Sequence, residues 1–456
     1  MSLSSKLTTA KRCLTEFGRA IGVPVRMLLY LPRRRKWQRR TAELLDAPLR
    51  PDEIGELNAA ARARFRQHLD GVELRRIFIS CGETSSEGHA RAFVAELRQH
   101  LPDVQLVGFG GRALEATGVR LLGNLVDVAV IGAWEVIVNL FFFVGVLSRY
   151  VEFLERERPD VVVLLDNPGL HMLFAEEAKK RGIPVLYYIC PQYWAWAPWR
   201  MRRFRRAVHG AISILPFERP LFEAQGIPTA FAGSPLLPRV PDLAAEPRDP
   251  VLAILPGSRR AEIERHLPGM LGLWKSFKAQ HPDARAVIPQ QNTRQLELAR
   301  RIASETRDLA SLEIIESGAF AVLAGARAAI VKSGTSTLQT ALCRTPQVIV
   351  YAMRGPVAAW LTRQLLTAPW FGAPNLVLGR AAFPEFAFHG EGPWSSILDQ
   401  LLEVWDEGAP RTTQLAACEE ICSRLDGPGA TTEMVRWLLS ASSPADDSSG
   451  PRAADP

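Results

Sequence analysis

The chain has 456 residues, which at roughly 100–200 residues per domain makes two to four units. Hydrophobic residues at 47% and charged residues at 23% are the proportions of a soluble globular protein, and no apolar run is long enough to span a bilayer as a helix. A formal net charge of +7 admits nucleic acid, an anionic membrane surface or a phosphorylated substrate as partner, without choosing among them.

Residues 1–74 read as a basic extension. Lys6, Lys11, Arg12 and Arg19 are not followed by an uninterrupted hydrophobic core, so no cleaved signal peptide is expected. The cluster Arg33, Arg34, Arg35, Lys36, Trp37, Arg39 and Arg40 follows an apolar stretch, Val25 to Leu31. A basic run beside apolar residues suits attraction to anionic lipid. A solvated helix face or a nucleic-acid patch would have the same composition, although no motif that reads nucleic acid is present.

Ordered α/β patterning begins at Leu74. Arg76 to Ser80 reads as a buried strand that runs into Cys81-Gly82-Glu83-Thr84-Ser85-Ser86-Glu87-Gly88, and a helical pattern follows. Further strands are expected over 104–109, 161–165 and 185–189. They end in Gly110-Gly111, in Asp166 and in Pro191-Gln192-Tyr193-Trp194. Gly108-x-Gly110-Gly111 lacks the full glycine spacing of a dinucleotide fingerprint, and no acidic residue ends a strand at the usual distance. Val136 to Leu147 holds three consecutive Phe residues. It is too short to cross a bilayer and reads either as an interfacial segment or as a buried core helix.

Residues 236–249 form a proline-rich connection. A second series of strands is expected near 251–255, 285–289, 312–315, 328–332 and 347–351. Residues 396–440 read as helices, and the tail 441–456 has a disordered composition. Short apolar strands alternating with helices predict parallel, doubly wound sheets. The plan is therefore two Rossmann-like domains, 75–235 and 250–395, with a site in the cleft between them.

Two turns in the second series stand out: Ile254-Leu255-Pro256-Gly257-Ser258-Arg259-Arg260 and Val331-Lys332-Ser333-Gly334-Thr335-Ser336-Thr337. Each is an apolar run breaking into a Gly/Ser/Thr turn before a helical pattern. Such turns offer backbone N–H groups to phosphate, and Arg259 and Arg260 add charge. Ordinary strand-to-helix turns look the same. No aspartate pair of metal-binding type lies near, so neither a metal nor a cofactor is expected. Cys13, Cys81, Cys190, Cys343, Cys418 and Cys422 are scattered without a CxxC pair or His cluster, which suits a reducing cytosolic compartment and no structural zinc.

Blocks spread over most of 75–440 carry a resemblance. They are Gly82-Glu83-Thr84-Ser85, Val130-Ile131-Gly132-Ala133-Trp134-Glu135-Val136, Leu165-Asp166-Asn167-Pro168 and Tyr188 to Trp196. The others are Leu215-Pro216-Phe217-Glu218, Leu255-Pro256-Gly257-Ser258-Arg259, Ser333-Gly334-Thr335 and Pro374-Asn375-Leu376. In this order they resemble the lipid-A-disaccharide synthase family, whose core has no counterpart to the first 74 residues. The resemblance implies the GT-B fold, two Rossmann-like domains whose parallel sheets face a central cleft. It also implies a hexosyltransferase that passes 2,3-diacylglucosamine from UDP to the 6-hydroxyl of 2,3-diacylglucosamine 1-phosphate with inversion. The alternatives are a related UDP-sugar transferase with another lipid acceptor, and a catalytically silent lipid-binding relative.

Inverting transfer needs a base for the acceptor hydroxyl. Asp166, at the end of the strongest strand, matches the family's strand-end Asp and is the candidate; a helix N-cap ahead of Pro168 is its other reading. Glu83 is the second carboxylate, contacting the acceptor or orienting the base, and His89 is a rival base. The chain has Ser86 and Glu87 where the family usually has Gly and Asp. Gly257, Ser258 and Arg259, with the N–H groups around Ser333, Gly334 and Thr335, are expected to stabilise the leaving diphosphate. Gln339 stands where the family usually carries a ribose-holding Glu. Asn375 and Arg380 match a later motif and are expected to line the cleft, and Glu385 matches a Pro-Glu pair.

Ser85, Ser86, Trp194 and Trp196 are assigned to the acceptor and its lipid. The Trp-rich segment is followed by Arg200, Arg202, Arg203, Arg205 and Arg206. It would suit a phosphoglycolipid near a surface, although aromatic and basic interleaving also suits nucleic acid. The implied setting is peripheral contact with the cytoplasmic face of the inner membrane, with no nucleic-acid partner. Residues 396–440 are a candidate homodimer surface.

Overall fold

The apolar runs expected as strands assemble into two parallel sheets. The computed structural model describes residues 27, 29–45, 49, 51–126, 140–196, 198–243, 248–306 and 309–439. The first half contains β1 (Arg76–Cys81), β2 (Gln105–Gly110), β3 (Arg120–Asn124), β4 (Val161–Leu165), β5 (Val185–Tyr188), β6 (Gly210–Ser213) and β7 (Thr229–Phe231). The second contains β8 (Val251–Leu255), β9 (Arg285–Gln290), β10 (Leu312–Glu316), β11 (Ala328–Lys332), β12 (Gln347–Met353) and β13 (Glu385–His389). Their orders are β3-β2-β1-β4-β5-β6-β7 and β10-β9-β8-β11-β12-β13. β4 is buried along its whole length, as a central parallel strand covered by helices on both faces must be.

Four strands escaped the sequence reading. β3 is partly exposed throughout, β6 carries Gly210 and Ser213, β7 has only three residues, and β13 is a half-exposed edge. None makes a continuous long apolar run. The strand expected to reach Ile189 stops at Tyr188, because Ile189 turns into a left-handed conformation with φ 65°. β12 runs on to Met353.

Each sheet has one place where the chain reverses its direction of winding. In the first, the path β1, β2, β3 moves one way and β4 then pairs on the other side of β1, with Cys81 opposite Leu165. In the second, β11 pairs beside β8, with Val331 opposite Leu255. The loops leaving such paired strand ends diverge and open a crevice. Gly82-Glu83 and Asp166 border one crevice; the Gly257 and Gly334 turns border the other.

The described part of the basic segment is built into the fold. In helix Arg34–Leu45, Gln38 Nε2 donates to the Leu366 carbonyl at 3.0 Å, tying the segment to the second half. Helix Pro51–Arg66 buries Ala61 and Phe65 completely. Its Asn58 amide donates to the Phe231 carbonyl at 2.7 Å and accepts the Phe231 N–H at 2.9 Å, as a neighbouring strand would along β7.

Helices Trp394–Trp405 and Ala409–Leu425 pack on the second half, whereas Ala430–Leu438 crosses back to the first sheet. Its Trp437 lies over Gly210, where a Cβ would come within 2.1 Å of the indole. Glu433, fully buried, holds both Trp437 Nε1 at 2.9 Å and Arg62 at 2.7 Å. The inner faces of these terminal helices are thus used within the chain, leaving only their outer faces for any dimer contact.

Of the apolar segment 136–147, residues 136–139 lie outside the described residues, as do Val130–Glu135 of the family blocks and the tail 441–456. The rest begins helix Leu140–Arg156. Val146 and Leu147 are buried in the core, and Phe142 and Phe143 pack partly buried against it. Among the described residues no helix is long and apolar enough to cross a membrane.

Candidate functional site

Asp166 leaves the end of β4 with φ 56°, and Asn167 follows with φ 50°. Two successive left-handed residues are strained, and Asp and Asn are the non-glycine residues that bear this best. The bend is fixed by hydrogen bonds. The Asp166 N–H donates to the Tyr188 carbonyl at 2.9 Å. Its own carbonyl accepts from the Tyr187 hydroxyl and from His171 Nδ1, both at 2.6 Å. Asn167 fits against Gly82, where a Cβ would come within 2.3 Å of its amide nitrogen.

This arrangement decides the alternative role of Asp166. Helix His171–Lys180 starts beyond Leu170, and it is Asn167 Oδ1 that accepts the Leu170 N–H, at 3.4 Å. The Asp166 carboxyl does not cap this helix. Burial raises its pKa, the Asn167 N–H pulls it down in part, and the charge of Glu83 raises it further. Two carboxyls close enough to feel each other, one of them held towards its protonated form, are a familiar acid–base arrangement.

Glu83 is exposed at the N-cap of helix Thr84–His100. Ser86 is buried beneath it, accepting the Glu83 N–H at 3.2 Å and donating to its carbonyl at 2.9 Å. Glu87 is also buried. Its carboxylate accepts the Leu114 N–H at 2.9 Å, in a space open only because Gly111 has no Cβ. The two departures from the family pattern therefore hold the loop from inside, and the hydroxyl of Ser86 is spent on the backbone. His89 is half-buried edge-on to Tyr188, with its pKa lowered by burial and by Arg239.

In the second crevice two N–H groups of the Gly257 turn are already engaged. Gly257 has φ 113°, and the Ser258 and Arg259 N–H groups both reach Glu262 Oε2, at 3.3 Å each. Glu262 Oε1 lies 2.9 Å from Lys332 Nζ and 3.4 Å from the Arg259 guanidinium. This corrects the expectation of free backbone donors here: the helix start is already capped by its own carboxylate. The Gly334 turn differs. Ser333 is fixed by its hydroxyl to the Phe371 carbonyl at 2.8 Å, while Thr335 opens helix Thr335–Leu342 exposed to the crevice side of the strand ends. The Gln339 amide, half-buried on that helix, makes no hydrogen bond among the described residues.

The later motif residues turn inward or away. Asn375 is fully buried, with Oδ1 accepting from Ala382 and Phe383 N–H groups and Nδ2 donating to Phe383 and Glu385. Glu385 in turn accepts the Phe371 and Gly372 N–H groups at 2.7 and 2.9 Å. Arg380 pairs with Glu420 on the surface. Asn375 and Glu385 together shape the loop 371–372 that holds Ser333, and their polar atoms are all engaged in doing so, whereas Arg380 lies apart on the surface.

Trp194 is buried. Its indole donates to Glu218 at 3.2 Å, and its carbonyl accepts the Thr367 hydroxyl, joining the two halves. Burial pushes the Glu218 carboxyl up to about 8. The side chains of Ser85 and Trp196 lie outside what is described. In the basic run Arg203 is paired with Glu176 and Arg200 lies over Tyr193.

The lipid-A-disaccharide synthetase family model matches residues 77–426. The lipid-A-disaccharide synthase of Myxococcus xanthus (strain DK1622) is 34% identical over 375 residues, spanning 80% of this chain and 97% of that protein. The chain belongs to the lipid-A-disaccharide synthase family. The enzyme of the same name from Anaeromyxobacter sp. (strain K) is 31% identical over 377 residues, with the same coverage. Among solved structures, a UDP-GlcNAc 2-epimerase from Neisseria meningitidis, bound to UDP-GlcNAc, aligns with TM-score 0.52 and 10% identity. It covers 80% of this chain and 99% of that one, a likeness of fold alone. Membership of the lipid-A-disaccharide synthase family makes this chain a glycosyltransferase of lipid A biosynthesis with the GT-B fold. The residues that sequence reasoning left without a role are Ser80, His171, Tyr187, Glu262 and Lys332. Glu262 had a signal, an acidic residue three places after an N-cap. His171 and Tyr187 had none, because their partner is a backbone carbonyl.

Proposed function

We propose that the enzyme condenses UDP-2,3-diacylglucosamine with 2,3-diacylglucosamine 1-phosphate, giving the β-1,6-linked disaccharide 1-phosphate and UDP. The observation that carries this reading is the division of charge between the two crevices. Carboxylates border the first, at Asp166 and Glu83; a cation and a Ser-Gly-Thr turn border the second, at Arg259 and Ser333 to Thr335.

In this reading Asp166 accepts the proton of the acceptor 6-hydroxyl as its oxygen attacks the donor anomeric carbon. The bond from that carbon to the diphosphate oxygen breaks on the opposite face, which inverts the centre. Arg259, Gly334 and Thr335 receive the charge that collects on UDP. Glu83 keeps the Asp166 carboxyl basic enough to act. Gln339 contacts the ribose through an uncharged amide.

The enzyme works, in our reading, against the cytoplasmic face of the inner membrane, where acylated substrates reside. Val357, Trp360 and Leu361 are exposed along one side of helix Pro356–Leu365. The C-terminal end of that helix meets the basic helix Arg34–Leu45 through the Gln38–Leu366 bond, and Arg33, Arg35, Lys36 and Arg39 are exposed there. Apolar side chains beside exposed cations suit an anionic bilayer surface.

The test is incubation of the purified protein with both lipids, following UDP and disaccharide by mass spectrometry. Asp166→Ala is expected to lose about a hundredfold or more of the rate. Product that survives the change would move the base to Glu83 or His89. A second reading, a transferase tuned to another donor, is favoured only by Gln339. Under the first reading Gln339→Glu keeps or raises activity on the lipid A donor; abolished activity would establish the second.

A further inference from the structure

The two oxygens of the Glu262 carboxylate have separate tasks. Oε2 caps the start of helix Arg260–Gln280 through the Ser258 and Arg259 N–H groups. Oε1 crosses the winding switch between β8 and β11 to reach Lys332 Nζ at 2.9 Å, and it also faces the Arg259 guanidinium. Burial acts to raise the Glu262 pKa, but the Lys332 hydrogen bond and the charges of Lys332 and Arg259 outweigh it and hold the carboxyl below its ordinary value.

Lys332 is the last residue of β11, and its side chain is only 13% exposed. Its ammonium lies over the Tyr351 ring at 5.9 Å and stands 3.5 Å from where a Cβ on Gly334 would be. A flexible side chain is thus held in one place, against the Ser-Gly-Thr turn.

We infer that Lys332 binds the diphosphate of the sugar donor, and that Glu262 is the positioning residue that sets Lys332 and Arg259 on one wall of that seat. This rests on the reading of the second crevice as the donor site. Lys332 and Arg259 against one Glu262 leave a net positive charge, so the wall attracts a diphosphate even with the carboxylate in place. The Ser258 and Arg259 N–H groups are spent on Glu262, so those two residues bring the Arg259 side-chain charge rather than backbone donors. Holding an ammonium in position beforehand removes part of the ordering cost of binding. Glu262 therefore acts through its neighbours and need not touch the donor.

The experiment is calorimetric titration of the full-length protein with UDP and, separately, with uridine. Wild type is compared with Lys332→Met, Lys332→Arg and Glu262→Gln, with melting temperatures recorded for each. Lys332→Met is expected to weaken UDP about tenfold or more, the scale of one lost charge-assisted hydrogen bond, and to leave uridine unchanged. Lys332→Arg restores part of the loss. Glu262→Gln weakens UDP in the same direction by less, raises KM for the donor, and again spares uridine.

UDP binding as tight in Lys332→Met as in wild type overturns the inference while leaving the donor site standing. Glu262→Gln that lowers the melting temperature without changing the ratio of UDP to uridine affinity reduces Glu262 to a helix cap and overturns its positioning role. A wild-type protein that binds neither molecule overturns the donor-site reading, and the inference with it.

Discussion

His171 Nδ1 lies 2.6 Å from the carbonyl oxygen of Asp166, and its Nε2 lies 2.9 Å from Ser80 Oγ. A carbonyl can only accept, so Nδ1 carries the proton and Nε2 accepts from the Ser80 hydroxyl. Burial lowers the ring's pKa to about 4, so it is neutral at pH 7. The imidazole is a strut between β1 and the strained residue at the end of β4. His171→Ala strands the buried Ser80 hydroxyl and leaves the Asp166 carbonyl to the Tyr187 hydroxyl alone, at a cost of about 1–3 kcal/mol before any cavity is counted. The melting temperature falls, and kcat falls with it because the Asp166 bend relaxes, while UDP affinity holds. Unchanged kcat in a folded variant would show that the bend needs no such strut.

The raised pKa of Asp166 has two consequences of opposite kind. A base must be deprotonated, so kcat/KM climbs with pH through a pKa above the ordinary carboxyl value. Glu83→Gln removes a repelling charge and moves that limb to lower pH. For stability, the folded protein keeps this proton to higher pH than the unfolded chain does, so stability falls as pH rises through that window. Asp166→Asn should therefore melt higher than wild type at pH 8, with the gain fading in acid. An equal melting temperature at pH 8 would contradict the burial penalty.

Glu218 gives a larger effect of the same sign. Its pKa is pushed up to about 8 by burial, against the Trp194 indole and the backbone at Leu215 and Ile214, which pull it down. The unfolded chain loses this proton near 4.5, so the protein loses stability as pH rises from 4.5 towards 8. Glu218→Gln should flatten that slope. Melting curves of both proteins at pH 5 and pH 8 measure it, and parallel curves would refute it.

Membrane contact is checked with vesicles of phosphatidylglycerol and phosphatidylcholine. Val357→Ser with Trp360→Ser should cut co-sedimentation several-fold and leave turnover of detergent-dispersed lipids unchanged. Replacing Arg33, Arg35, Lys36 and Arg39 by Ala should remove the salt-sensitive part of the binding. Full retention in both variants would place the contact elsewhere.

Gly210→Ala puts a methyl where the Trp437 indole already lies, 2.1 Å away, and against Phe65. The cost expected for such overpacking is about 1–3 kcal/mol, read as a lower midpoint in urea. A variant of wild-type stability would mean that the terminal helix is not firmly seated.

The strong apolar strands and their helices were legible, since period and burial leave a direct mark, and so were Asp166 and Glu83 as strand-end carboxylates. The Gly257 turn was legible as a turn but not in its chemistry. Its Ser258 and Arg259 N–H groups are spent on Glu262, a residue on the following helix. Asn375 and Glu385 matched a motif for a reason of packing: they bond each other and the loop behind Ser333. β6 and β7 left little trace because their pairing comes from residues far off, Trp437 over Gly210 and Asn58 along Phe231. Such contacts have no local pattern to read.

That same closure of the first sheet by Phe65 and Trp437 sets an order of events during synthesis. The sheet strands up to β7 are complete long before residue 437 leaves the ribosome. At roughly 5–20 residues per second, Gly210 and its neighbours wait on the order of ten seconds or more for their cover. The first half therefore emerges with one apolar face covered only in part, by Phe65, Phe93, Val94 and Leu97, and finishes last, after the second half has been made. Loss of helix Ala430–Leu438 would be felt first as aggregation of newly made chains rather than as a slow enzyme.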